Sequence, residues 1–313
     1  MFAEQKIVIS GGAGLIGQNL IVRLLAQGAT DIIAIDKHVH NAEILRRLHP
    51  KVRVITADLA RDDGWQHELA GADALVIAHA QIGGPDEAPF IANNITATER
   101  LLAAARSGKV GRIIHLSSSV VNSAAHDYYT ETKKQQEALV ASCPIPYIVL
   151  RPTLMFGWFD RKHLGWLARF MQRAPVFPIP GNGKYARQPL YAGDLCAIIL
   201  ACLNGPVRTG AYNISGREVV TYIELIRAIR TGICSTTPII TIPYWLFHIL
   251  LRVYAVFDKN PPFTTRQLAA LVIPEIFEII DWPGIFEIPA TPLATALHET
   301  FHAKPYCDVE LAF

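Results

Sequence analysis

The stretch Lys6-Ile7-Val8-Ile9-Ser10-Gly11-Gly12-Ala13-Gly14-Leu15-Ile16-Gly17 decides the fold. A short β-branched run passes directly into closely spaced glycines, and from Leu15 to Gln27 apolar residues recur with a helical period. Strand, tight turn and helix in that order open a βαβ unit. Gly11 permits the turn, Gly14 lets the backbone approach a pyrophosphate, and Gly17 lets the helix pack close to the sheet. The helix N-terminus, with the amides of Leu15 and Ile16, offers partial positive charge to phosphates. Taken alone, the glycines fit a plain turn equally well.

The residues that follow add to the case. A second β-branched run, Asp31 to Ile35, leads to Asp36, about 20 residues beyond the loop, where a carboxylate can accept both hydroxyls of an adenosine ribose. A carboxylate there repels a 2′-phosphate, which favours NAD. Lys37 and His38 follow and partly offset the repulsion, so NADP is not excluded. Further short runs at Val52 to Thr56, Ala74 to Ala78, Arg112 to Ser117 and Tyr147 to Leu150 alternate with longer helical patterns at Asn93 to Ala105 and Tyr129 to Ala141. This rhythm predicts an α/β, Rossmann-type doubly wound parallel sheet of six strands. Asp58, with Leu59 beside it, is placed to accept from an adenine amino group or to cap a helix. Ala78, His79 and Ala80 end the fourth strand, where small side chains leave room for a dinucleotide; His79 reads as a packed histidine rather than a base.

The fifth run ends in Ser117-Ser118-Ser119, and eleven residues after Ser118 comes Tyr129, with Lys133 one helical turn further on. A phenol titrates near 10 in water, so a neighbouring ammonium is needed to stabilise its anion. Tyr129 is the candidate acid/base, Lys133 its tuner and a donor to a nicotinamide ribose, and the strand-end serine the group that aligns a hydroxyl or carbonyl.

Together GGAGLIG, Asp36, Asp58, Asn94, SSSVV, YTETK and LRPTLMFG resemble the extended short-chain dehydrogenase/reductase family, which includes nucleotide-sugar epimerases, dehydratases and keto-sugar reductases. The resemblance covers about residues 5 to 215. It implies that Gly11, Gly14 and Gly17 bind pyrophosphate, that Ser118 is the catalytic serine, and that Asn94 stands near the active site unless it is only a helix cap. Arg187, in the segment running to Asp194, resembles the family's diphosphate-binding arginine; Gln81 and Ser119 are further candidate substrate contacts. Dehydratases of the family carry an Asp-Glu pair after the catalytic hydroxyl residue, where this chain has Ser119 and Val120, which disfavours dehydration. The function expected is an NAD-dependent nucleotide-sugar epimerase. The alternatives are an NAD(P)H-dependent keto-sugar reductase and a nucleotide-holding structural subunit without turnover. The resemblance also implies a homodimer paired through the helix before strand five and the tyrosine helix.

Beyond Arg151-Pro152 the rhythm breaks and Pro and Gly gather in the decapeptide from Ala174 to Gly183. Residues 1–160 are expected to form the NAD-binding domain, with 187–204 packing back onto it, and 161–186 with 205–313 a smaller, mostly helical substrate lobe. A length of 313 residues suits two lobes, and a net charge of +2 with mixed signs gives no patch for nucleic acid. Five cysteines without paired spacing read as buried free thiols in a reducing, cytoplasmic setting, and no metal site is expected. The segment from Ile239 to Phe257 is strongly apolar but broken by Pro243, His248 and Arg252; the expectation is a buried helix closing the second lobe, with peripheral membrane contact as the alternative and no transmembrane segment.

Overall fold

A computed structural model describes residues 2–312 apart from 124–125, 207–208, 258–264 and 274–276. Strands β1 (Lys6–Ser10), β2 (Asp31–Asp36), β3 (Arg53–Thr56), β4 (Ala74–Ile77), β5 (Arg112–Leu116) and β6 (Tyr147–Pro152) are all parallel. A seven-stranded sheet results, because Gly210–Ile214 pairs in parallel with β6 at one edge. This seventh strand corrects the count of six. It lies in the stretch assigned to the second lobe, and its GAYNI sequence carries a single β-branched residue and no clear alternation.

Helix α1 (Leu15–Ala26) covers one face of the sheet and α2 (Val39–Leu48) follows β2; α3 (Ala97–Ser107) and α4 (Tyr128–Ala141) cover the other face. Helix α5 (Ala192–Asn204) packs along α1 through Leu195, Cys196 and Ile199. Strand order runs from the Gly210–Ile214 edge through β6, β5, β4 and β1 to β2 and β3, so the chain reverses its direction of progress between β4 and β1. At such a switch point the connections leave on opposite faces and a crevice opens outside the carboxyl ends of the strands.

A second core, built on Phe156, Met171, Phe177, Ile179, Leu225 and Ile229, holds the remaining lobe. The C-terminal segment returns to the first half. Trp282 is buried in the main core, Leu311 packs with Val22 and Ile44, and Arg23 reaches Tyr191 at 3.0 Å and Glu299 at 2.9 Å. The cysteines are all free; Cys143, Cys196 and Cys202 are buried, whereas Cys234 is exposed and Cys307 half-buried, against the expectation of burial for these two.

Residues from Ile239 to Phe257 also depart from expectation. Ile239–Ile242 is a strand paired with Phe177–Pro180, and after Pro243 the helix Tyr244–Phe257 lies open rather than buried. Trp245 is 64% exposed, and Ile249, Leu250, Val253 and Tyr254 are exposed as well. The segment is apolar on more sides than the single face the chain covers, so its hydrophobicity alone could not reveal which side would be packed. No helix among the described residues is long and apolar enough to cross a membrane.

Candidate functional site

Gly11 sits at φ +70°, and a Cβ added there would lie 2.6 Å from the backbone nitrogen of His79. At Gly17 a Cβ would meet the Gly11 carbonyl oxygen at 2.5 Å. Glycine is therefore enforced at both places by backbone that cannot yield, and the loop lies tightly between β1, β4 and the N-terminus of α1, where Gly14 is the N-cap with no side chain to block the free amides. Leu15 and Ile16 form the first turn of α1. This cradle has the form required for a pyrophosphate.

Asp36 braces the cradle. One carboxylate oxygen accepts from Ala13 N at 3.0 Å and the other from His38 N at 2.9 Å, while burial raises its pKa against the lowering effect of these bonds. Each oxygen keeps a lone pair for a further donor. The Lys37 ammonium donates to Asn93 Oδ1 at 2.7 Å, linking the end of β2 to the segment beyond β4. Asp58 accepts from Ala60 N at 3.0 Å in a local turn, and Leu59 is buried beside it. Ala78 and Ala80 flank His79, whose ring lies between Ser10 Oγ at 2.8 Å and Thr98 Oγ1 at 3.2 Å. Burial, reinforced by the Lys133 charge, holds His79 down to about 3, so the imidazole is neutral.

Between Phe90 and α3 the chain forms a π-helical stretch, Ile91–Thr96. The wider turn brings two successive asparagines back to Gln81. Asn94 Oδ1 accepts from Gln81 N at 2.7 Å, and its amide donates to Gln81 O at 3.1 Å and to Thr132 Oγ1 at 3.0 Å; Asn93 Nδ2 donates to Gln81 Oε1 at 2.9 Å. Asn94 thus joins the end of β4 to the helix that carries Tyr129 and Lys133, a role distinct from capping.

Strand alternation separates the three serines. Ser117 is buried, whereas Ser118 is extended and its hydroxyl accepts from Val120 N at 3.4 Å. Ser118 also lies close enough to the Tyr129 phenol to lower its pKa. Ser119 begins the short turn that follows. Asp127 caps α4 by accepting from Thr130 N at 2.9 Å, which fixes Tyr129 in the first turn. Burial raises the Tyr129 pKa, partly countered by Ser118 and reinforced by the Asp127 charge. Lys133 is fully buried, with its ammonium 2.9 Å from Leu116 O and 2.6 Å from Gln136 Oε1. Burial lowers it to about 7.

Arg187 stands apart from this group. It is buried, stacks against Tyr185 with its guanidinium carbon 5.0 Å from the ring centre, and donates to the carbonyls of Leu271 and Ile273. Its donors thus meet backbone more than eighty positions along the chain, a partnership no local motif announces. Sequence reasoning also missed Ser10, Asn93, Thr98, Thr132 and Gln136; the available signal was a small polar residue on the apolar faces of β1 and α3, whereas α4 buries Thr130, Thr132, Lys133 and Gln136 together and Asn93 precedes α3. Among the described residues no group of three His, Cys, Asp or Glu side chains is placed to hold a metal.

Residues 7–215 match the model of the NAD dependent epimerase/dehydratase family. The low-salt glycan biosynthesis protein Agl12 of Haloferax volcanii is 26% identical over 70% of this chain and 79% of its own length. In fold, the chain is similar to UDP-glucuronic acid 4-epimerase of Bacillus cereus, solved with NAD, at a TM-score of 0.71 with 21% identity over 95% of this chain and 97% of that one. It is similar too to the Bordetella bronchiseptica enzyme WbmG, solved with NAD and UDP, at a TM-score of 0.74 with 18% identity over 95% and 93%.

Proposed function

This chain belongs to the NAD-dependent epimerase/dehydratase family, and on that premise we propose that it is an NAD-dependent nucleotide-sugar epimerase acting through Ser118, Tyr129 and Lys133. The observation that carries the reading is the approach of Ser118, just past the carboxyl end of β5, to the Tyr129 phenol, close enough to lower its pKa, with the Lys133 ammonium buried one helical turn away. The glycine cradle fits the dinucleotide, since the space a Cβ would fill at Gly11 and Gly17 is closed by backbone and the amides of α1 are free. Asp36 would receive the adenosine ribose. When bound, NAD supplies the acceptor and donor of hydride together with a positive ring charge.

The protein's own groups handle the proton. Ser118 aligns a sugar hydroxyl with the Tyr129 oxygen, which takes the hydroxyl proton and later returns it, so the overall reaction needs no outside acid or base. As it stands, burial keeps the phenol protonated at neutral pH, and cationic charge beside it would lower its pKa toward neutrality and so supply the phenolate that takes the proton. Asn94 holds the tyrosine helix to the strand end, and Gln81 presents its side chain at the same edge. Ser119 and Val120 supply neither the acid nor the base that elimination of water requires, which favours epimerisation over dehydration.

The test is a panel of UDP-, GDP- and dTDP-sugars offered to purified protein. Conversion to an epimer without added or consumed nucleotide is expected. Tyr129→Phe is expected to lose turnover by about 100-fold or more while retaining NAD affinity. Stoichiometric consumption of NAD(P)H would instead make the protein a reductase, and full turnover in Tyr129→Phe would reject the tyrosine's role.

A further inference from the structure

Beneath the crevice a line of polar groups, all but the half-buried His79 fully buried, crosses the molecule from α4 to β1. Lys133 Nζ donates to Gln136 Oε1 at 2.6 Å, and Gln136 Nε2 donates to Thr98 Oγ1 at 2.8 Å. Thr98 Oγ1 lies 3.2 Å from His79 Nε2, and His79 Nδ1 lies 2.8 Å from Ser10 Oγ, which itself donates to Val76 O at 3.4 Å. With the Ser10 proton on Val76 O, its oxygen accepts from His79 in the tautomer that carries the imidazole proton on Nδ1. Nε2 then accepts from Thr98, whose oxygen is free to accept from Gln136. All the donors point away from Lys133. A chain aligned in this way polarises along its length and strengthens the acceptor at its head.

We propose that Gln136 is a positioning residue for Lys133, whose amine it holds in place and favours in the charged form by presenting an amide oxygen backed by the Thr98–His79–Ser10 line. The proposal deepens the epimerase reading by naming what sustains the lysine in that site. Gln136, Thr98, Lys133 and Ser10 are all fully buried, so water cannot substitute for any of these four, whereas His79 is half-buried. The only other acceptor that the ammonium meets among the described residues is Leu116 O, one carbonyl for a group with three donors. Charged and titratable neighbours are accounted for on each side. Glu137 on the same helix favours the charged form, His79 after β4 and His115 on β5 are kept neutral by burial and by the lysine itself, and the Lys37 charge also acts on His79. Among the described residues no carboxylate pairs with the ammonium directly, so the neutral amide oxygen carries the task.

The experiment follows the lysine by the 13Cε resonance of labelled protein without cofactor or substrate, the Lys133 signal being identified by its loss in Lys133→Met. Removing a hydrogen bond to a charged group in Gln136→Leu is expected to lower the titration midpoint by about one pH unit or more. Gln136→Glu, of the same shape, is expected to raise it. His79→Phe, which cuts the far end of the line, is expected to lower it by less. A role confined to packing would reduce the melting temperature of these variants with the midpoint unmoved, and that result overturns the proposal. Should Gln136→Leu fail to fold, the direction of the shift in Gln136→Glu decides alone. Since the titration uses no substrate, a protein that epimerises nothing leaves this result standing, and an unmoved midpoint leaves the epimerase reading standing.

Discussion

Asn94→Ala is the sharpest test of how the site is assembled. The side chain is fully buried and makes three hydrogen bonds, two of them to the backbone of Gln81 and one to Thr132. Truncation leaves the Gln81 N–H and C=O without these partners, and each such group costs about 1–3 kcal/mol when water cannot reach it. Gln81 is half-buried, so solvent recovers part of the loss. Thr132 loses only an incoming donor, since its own hydroxyl still donates to Tyr128 O at 2.6 Å. The expected cost is about 2–3 kcal/mol, read as a lower urea midpoint with unchanged slope and a melting temperature lower by roughly 3–5 °C.

Asn94→Asp separates the acceptor from the donors. It keeps an oxygen for Gln81 N but replaces the amide nitrogen, with both its donors, by one carboxylate oxygen that faces Gln81 O and Thr132. At neutral pH it should destabilise at least as much as alanine. Burial holds the introduced carboxyl above its usual pKa, so the deficit should shrink as pH falls through that raised value and a proton becomes available to donate. Turnover in both variants should fall by roughly 10- to 100-fold, because the helix bearing Tyr129 and Lys133 loses its tie to β4. An Asn94→Ala protein within about 0.5 kcal/mol of the parent would refute the bridging role.

Gly17→Ala would set a Cβ against the Gly11 carbonyl and Gly12 backbone, so a loss of about 1–3 kcal/mol in stability and a marked loss of NAD affinity are expected by calorimetry. Lys133, held at about 7 when folded against 10.5 in its ordinary state, binds fewer protons in the native than in the unfolded protein between those values. Its contribution to stability therefore rises with pH across that window, by up to about 1.4 kcal/mol per pH unit, and is lost as pH falls through the folded value; urea unfolding from pH 7 to 9 should show the parent gaining on Lys133→Met, whereas parallel curves would count against it. Trp245→Ser and Leu250→Ser should each change the melting temperature by little, because both side chains are exposed; a large drop would show that the helix Tyr244–Phe257 is covered in solution.

Features carried by local chain geometry were legible in the sequence. The glycine loop, Asp36 at the end of β2 and the Tyr129–Lys133 spacing each depend on one turn, one strand end or one helical period. Asp127 acts equally locally, one residue before α4. Tertiary structure decided everything that depends on distant partners. It bent the chain into the π-helical Ile91–Thr96, which aims Asn93 and Asn94 at Gln81. It joined Gly210–Ile214 to β6, set Arg187 beneath the carbonyls of Leu271 and Ile273, and aligned Gln136 with Thr98 and His79. It also left the helix Tyr244–Phe257 open, although its composition alone would suit a core. The division has one physical cause. Backbone sterics and helical or strand periods act over a few residues and are written in their order, whereas a buried donor is defined by an acceptor that only folding brings near.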